Sequence, residues 1–217
     1  MEMDRFSNEV NNLDGMALVW ACFRGMTEVA NKLIDRGANV NVVDKSGITA
    51  LMYACAKGMS EVVSKLIDRG ANVNVVDKNG ATALMCACEY SRTEIASKLI
   101  DKGADVNKVD KSGITALMYA CRRGMSEVAS KLIDKEADVN KVDKNGVTAL
   151  MYVCWSGLSE IVDKLIDNGA DINMVDSYGR TALWLACNKG NKEIVNKLID
   201  KGADVDKEDK EGVTALI

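Results

Sequence analysis

Hydrophobic and polar positions alternate along this chain in one order that keeps returning. Ala50, Leu51, Ala54 and Cys55 fall at spacings that put them on one stripe of a short helix, and Val62, Val63, Leu66 and Ile67 repeat that spacing in a second. Lys57-Gly58 between them reads as a helix stop, with Thr49 expected to cap the first helix and Ser60 the second. Ahead of the pair, Asp44-Lys45-Ser46-Gly47 puts Asp first and Gly fourth in a type I turn. Gly70 ends the second helix, and residues 71–76 read as extended chain leading into the next turn.

The order begins again at Asp77, Asp110, Asp143, Asp176 and Asp209, a constant interval of 33 residues. Helices of about ten residues are marginal alone, because isolated helices shorter than roughly 12–15 residues rarely hold in water. Such a unit can bury its apolar stripe only against copies of itself, so the period predicts a stack of helix pairs rather than one closed core. The units at Asp44 and Asp110 differ only at positions 56, 57, 63, 69, 70, 72 and 75, as expected of a duplicated module.

These residues resemble the ankyrin repeat. The family pattern is met at Asp110, Gly113, Thr115, Leu117, Ala120, Gly124, Glu127 and Leu132, and by Gly103-Ala104-Asp105-Val106-Asn107. The likeness runs from about residue 11 to residue 217 and implies an all-α fold with short β-hairpin turns, an ankyrin-repeat solenoid of helix-turn-helix units. Its boundaries would be an N-terminal capping repeat at 11–43, full repeats at 44–76, 77–109, 110–142, 143–175 and 176–208, and a partial repeat at 209–217, all in one domain. Residues 1–15 match the pattern poorly, and Asp4–Val10 are expected to add a short covering segment. The truncated last repeat, with Ala215, Leu216 and Ile217 apolar, is expected of a fragment of a longer array. Departures are plain: the family's Pro after Thr is Ala, and no His is present. Met52, Met85, Met118, Met151 and Trp184 occupy the first His position, and Glu136 replaces a helix-ending Gly.

A net charge of −4 over 217 residues is mild and singles out neither a nucleic acid nor a membrane. The chain has no apolar run long enough to span a bilayer and a polar start unlike a signal peptide, so no membrane partner is expected. Six of the seven cysteines, Cys22, Cys55, Cys88, Cys121, Cys154 and Cys187, recur at one place in successive units. Equivalent atoms of stacked helices lie about 8–10 Å apart, beyond the roughly 7 Å that bridged Cα atoms allow, so the series reads as small core residues. No tetrahedral ligand spacing appears, and neither metal nor cofactor is expected. Reduced thiols point to a cytoplasmic, reducing compartment. Cys86 stands where other units carry Tyr and is expected to be a surface thiol.

What the resemblance implies about a site is a concave inner face, formed by residues after the turn aspartate and by outward positions of the first helices. Those positions carry Trp20, Phe23, Tyr53 and Tyr90 in the first half. In the second half they carry Tyr119, Arg122, Arg123, Tyr152, Trp155, Tyr178 and Arg180. All five tyrosines of the chain fall there, whereas Phe6 and Trp184 fall outside. Tyr, Trp and Arg are the residues enriched at binding hot spots. The plainer alternative is that Tyr53, Tyr119 and Tyr152 recur because the module was copied, which does not account for Trp155, Tyr90 or Tyr178. Acidic and basic residues late in the second helices, such as Asp35-Arg36 and Asp68-Arg69, read as a solvated outer face.

The leading expectation is a monomeric, non-enzymatic scaffold that holds another protein, by an acidic peptide or surface, on this basic and aromatic face. Single-stranded nucleic acid is the alternative for the same face, since aromatic platforms in a basic groove suit it, although overall acidity and the lack of Lys/Arg tracts count against it. A spacer within a longer protein remains open. Catalysis finds no support: the chain has no His, no phosphate loop and no nucleophile elbow. The resemblance also implies that Asn107, Asn140 and Asn173 lie in a context similar to that in which ankyrin asparagines are hydroxylated.

Overall fold

Each unit starts from its aspartate. Asp44 Oδ1 accepts the backbone N–H groups of Ser46 (2.8 Å) and Ile48 (2.9 Å), while Gly47 N–H closes the turn on the Asp44 carbonyl at 3.0 Å. Asp77, Asp110, Asp143, Asp176 and Asp209 make the same pair of side-chain bonds. Glycine is required at the fourth position for two reasons. Gly113 has φ +79°, and a Cβ there would come within 3.0 Å of Asp143 Cα and the Val142 carbonyl.

The computed structural model describes residues 2–215, with side chains from residue 12 onward. Its contacts divide it into two units, Met1–Lys108 and Val109–Ile217. The first unit holds α1 (Glu2–Phe23), α2 (Thr27–Asp35), α3 (Ala50–Lys57), α4 (Ser60–Asp68), α5 (Ala83–Glu89) and α6 (Thr93–Asp101). Here α3 packs between α1 and α5, and α4 between α2 and α6. The second unit holds α7 (Ala116–Arg122), α8 (Ser126–Asp134), α9 (Ala149–Ser156), α10 (Val162–Asp167), α11 (Ala182–Asn188) and α12 (Lys192–Asp200). There α9 packs between α7 and α11, and α10 between α8 and α12. Among the described residues no sheet forms; the hairpins contribute only the isolated bridges Val43–Thr49 and Val109–Thr115.

The predicted stripes form the core. Leu18, Leu51 and Leu84 are fully buried between first helices of the first unit, as are Leu117, Leu150 and Leu183 in the second. Each such leucine stabilises its stack by about 1.5–3 kcal/mol relative to exposure. Thr49, Thr82, Thr115, Thr148 and Thr181 cap the first helices; Thr115 Oγ1, for example, accepts Met118 N–H at 3.1 Å. Glycines at φ near +75° close α3 and α9. Two residues other than glycine adopt this left-handed conformation, Ser91 (φ 56°) and Glu136 (φ 61°), each at a helix-ending glycine position. Glu136 is the departure noted from the sequence; Ser91 was missed, although it stands where Gly58 and Gly124 stand in other units.

Several expectations need correcting. Ser60 does not cap α4: it is the first helical residue, and the N-cap position falls to Met59, which has no side-chain oxygen to offer. Residues 71–76 are not simply extended, because Asn72 Oδ1 accepts Asn74 N–H at 2.9 Å and folds a turn inside the segment. A 3-10 turn, Ser159–Ile161, leads into α10, and Lys197 Nζ donates to its Ser159 carbonyl at 2.9 Å. Residues 2–15, which match the repeat poorly, are continuous with the first-helix pattern in one 22-residue helix, α1. Leu216 and Ile217 lie outside the described residues.

None of the seven cysteines forms a disulfide. Cys22, Cys55, Cys88, Cys121 and Cys154 are buried, and burial pushes the Cys22, Cys88 and Cys154 thiols up to about 12. Cys86 is not the surface thiol expected. It is only partly accessible, and burial followed by the nearby Glu89 and Asp77 charges raises it to about 12 as well.

Hairpin asparagines clasp neighbouring repeats. In the first unit Asn41 Nδ2 donates to the Gly70 carbonyl (3.1 Å) and its Oδ1 accepts Asn72 N–H (2.8 Å); Asn74 does the same with Gly103 and Asp105. In the second unit Asn140 holds Gly169 (2.7 Å) and Asp171 (2.8 Å), and Asn173 accepts from Asp204 N–H. On the second helices, exposed ion pairs such as Lys65–Asp35 (3.2 Å) and Lys201–Asp167 (2.8 Å) join successive repeats, where solvent screening leaves them little effect on stability.

Candidate functional site

The recurrent tyrosines have an internal task. Tyr53, Tyr119 and Tyr152 each stand nine residues after a turn aspartate and donate their hydroxyl to its second carboxylate oxygen, at 2.9, 2.9 and 2.8 Å. Burial first, and then the bond to the carboxylate, raises the Tyr53 and Tyr152 phenols to about 12. At Asp44, burial alone would raise the carboxyl, but the Ile48 N–H, the Tyr53 hydroxyl and the Ser46 N–H together hold it below its usual value. Where the tyrosine is replaced by Leu185, a different residue does this work. Arg180 Nε and Nη2 reach Asp176 Oδ2 at 2.8 and 2.6 Å, around a carboxylate whose side chain is almost fully buried.

The aromatics that interrupt the copied module behave differently. Trp20 (60% exposed), Tyr90 (53%), Trp155 (56%) and Tyr178 (62%) present their rings to solvent, while Tyr119 is only 9% exposed. In the first unit, Trp20 and Phe23 meet edge to face at 5.5 Å, and Phe23 meets Tyr53 at 5.2 Å. With Met16, Val19, Asp44 and Lys45 they line a cleft of about 310 Å³. Tyr90, at the end of α5, makes no ring contact with them among the described residues.

In the second unit six of the expected residues form one connected group. The Arg122 guanidinium lies 4.9 Å from the Tyr119 ring and 5.9 Å from the Tyr152 ring. Arg122, Tyr152, Trp155 and Arg180 line a cleft of about 280 Å³ together with Val147, Met151, Asp176 and Leu185. Arg180 also stacks on Tyr178 (4.7 Å), and Lys189 Nζ stands 3.6 Å above the Trp155 ring centroid. Arg123 lies apart from this group, exposed at the end of α7. Trp184 was missed by sequence reasoning. It replaces a core methionine, yet Arg180 lies 5.5 Å from its ring and it remains only half-buried. The signal was an arginine four residues ahead of an oversized core residue.

Among the described residues no group of three or more His, Cys, Asp or Glu side chains could hold a metal, and no helix is long and apolar enough to cross a membrane.

A family model described as ankyrin repeats (3 copies) matches residues 18–110, 103–176 and 156–217. The crystal structure of the human ASB11 ankyrin repeat domain is similar to this chain, with a TM-score of 0.79 and 27% identity over 92% of this chain and 89% of that one. No curated protein matches. Ankyrin repeats are in general protein–protein interaction modules. Matched along nearly its whole length by model and fold alike, the chain belongs to the ankyrin-repeat family.

Proposed function

We propose that this chain is a non-enzymatic scaffold that docks a partner protein on the exposed aromatic residues of its two units, Trp20, Phe23 and Tyr90 in one and Trp155 and Tyr178 in the other. Arg122 and Arg180 beside the second group, and Arg123 apart from it at the end of α7, add basic side chains, and the absence of disulfides suits a reducing compartment such as the cytoplasm. One observation carries this reading. Aromatics that were copied with the module are tied to the chain's own aspartates, whereas those that break the copy are the ones left open to solvent. Large rings left more than half open to solvent are the kind of side chain that supplies binding energy when covered.

The test replaces Trp20, Tyr90, Trp155 and Tyr178 together with Ser and compares capture of cellular proteins by the two chains, with and without nuclease. A specific protein lost by the variant, with the helical spectrum and unfolding midpoint unchanged, is the expected result. Undiminished capture of every partner would favour the spacer reading, and capture abolished by nuclease would favour nucleic acid.

A further inference from the structure

The first repeat lacks a cover that the second has. In the second repeat Ala50, Met59, Val62 and Leu66 are buried, with α3 and α4 packed against α1 and α2. The same positions one repeat earlier are open: Met26 is 49% and Val29 39% exposed, Ala17 is exposed and Leu33 is only half-buried. Their counterparts in the last full repeat, Ile194 and Leu198, are fully buried although no second helix follows α12 among the described residues. A preceding repeat is therefore what covers these positions. None could join the first repeat in the usual way, because Asn11, Asp14 and Met16 stand where the turn needs Asp44, Gly47 and Thr49, and the chain there is helical. Nor does α1 close the gap at this point: a Cβ on Gly15 would come within 2.7 Å of the Asn39 carbonyl, so α1 lies against its own hairpin. Stable arrays carry a polar outer face on their end repeats, and this end instead offers Ala, Met, Val and Leu.

The charges beside this face complement themselves. In the second repeat Glu61 accepts from Asn31 Nδ2 at 2.9 Å and Lys65 reaches Asp35 at 3.2 Å, both across to the preceding repeat. The equivalent Glu28 and Lys32 are exposed and make no ion pair or side-chain hydrogen bond among the described residues. They stand four residues apart on α2, as do Val29 and Leu33. Two α2 helices laid antiparallel on these residues would set Val29 and Leu33 of each copy against those of the other and bring each Glu28 beside the other copy's Lys32.

We propose that the open end of the first unit is a two-fold interface between copies of this chain, centred on the α2 helices, in place of the monomer expected from the sequence. One contact then covers the same apolar patch on both chains, and two-fold pairing is the commonest form of oligomer. A partner of one strong charge would leave either Glu28 or Lys32 opposed. The interface stands apart from the docking function, since none of the aromatics assigned to docking belongs to this set of positions.

Sedimentation of the full chain over a range of concentrations tests this. The mass should rise with concentration and level off at twice that of one chain, and the urea midpoint should rise along with it. Glu28→Lys or Lys32→Glu alone should weaken the dimer at least about tenfold by setting like charges together, whereas the two changes combined should restore it. Val29→Asp should abolish the dimer while the single chain keeps its helical spectrum. Should that variant fail to fold, the surface charge variants decide alone. A chain that stays single at every concentration, a mass that climbs past that of two chains, a dimer indifferent to these single changes, or a combined variant no better than either reversal would each overturn the proposal.

Discussion

A tyrosine in this chain is best understood through the aspartate it serves. The hydroxyl-to-carboxylate bond of Tyr53 is made to a charged acceptor, so Tyr53→Phe should lower stability by about 1.5–3 kcal/mol in urea unfolding. The phenol's folded value, near 12, lies above its ordinary value of 10.0, so the protonated form is favoured by folding. Its contribution is therefore complete below pH 10 and is lost as the pH rises from there through about 12. Tyr53→Phe should flatten that part of the stability–pH curve, which unfolding midpoints at pH 9 and pH 11 would reveal. Arg180 is the harsher case, because its removal strands a buried carboxylate. Arg180→Ala should cost about 3–5 kcal/mol, far more than Trp155→Ala, whose ring is mostly in water. Equal losses from the two would contradict this division between residues that hold turns and residues that face outward.

Helix ends carry a second set of consequences. A Cβ at the equivalent glycines Gly70, Gly103 and Gly169 meets no neighbour within 4 Å, so Glu136 suffers from its backbone conformation and not from crowding. Glu136→Gly should accordingly raise stability by about 1 kcal/mol, read as a later urea midpoint with an unchanged slope. The same reasoning shows which elements could be read before any coordinates. Turns and first-helix caps were legible because their determinants, Asp44, Gly47 and Thr49, act within four residues of themselves. Second-helix starts were not, since a nearby serine draws attention while Met59 occupies the capping position. The site divided in the same way. Residue identity marked Trp155 and Tyr178, but the burial of Tyr119 depends on a bond to Asp110 nine residues earlier, and Arg180 meets Trp184 by packing that no short pattern records.

Within each unit, stability follows from neighbours, since each helix pair packs against the pairs next to it. The asparagine clasps make those joints alike. Asn41 holds the Gly70 carbonyl and the Asn72 N–H by the same two bonds with which Asn74 holds Gly103 and Asp105. The chain is thus built of interchangeable links. Excising residues 44–76 should let Asn41 close on Gly103, giving a shorter protein that still unfolds cooperatively by circular dichroism. A cut one residue shorter would put that one joint out of phase while leaving the downstream clasps at their own spacing, and should lower the unfolding midpoint of the shortened chain.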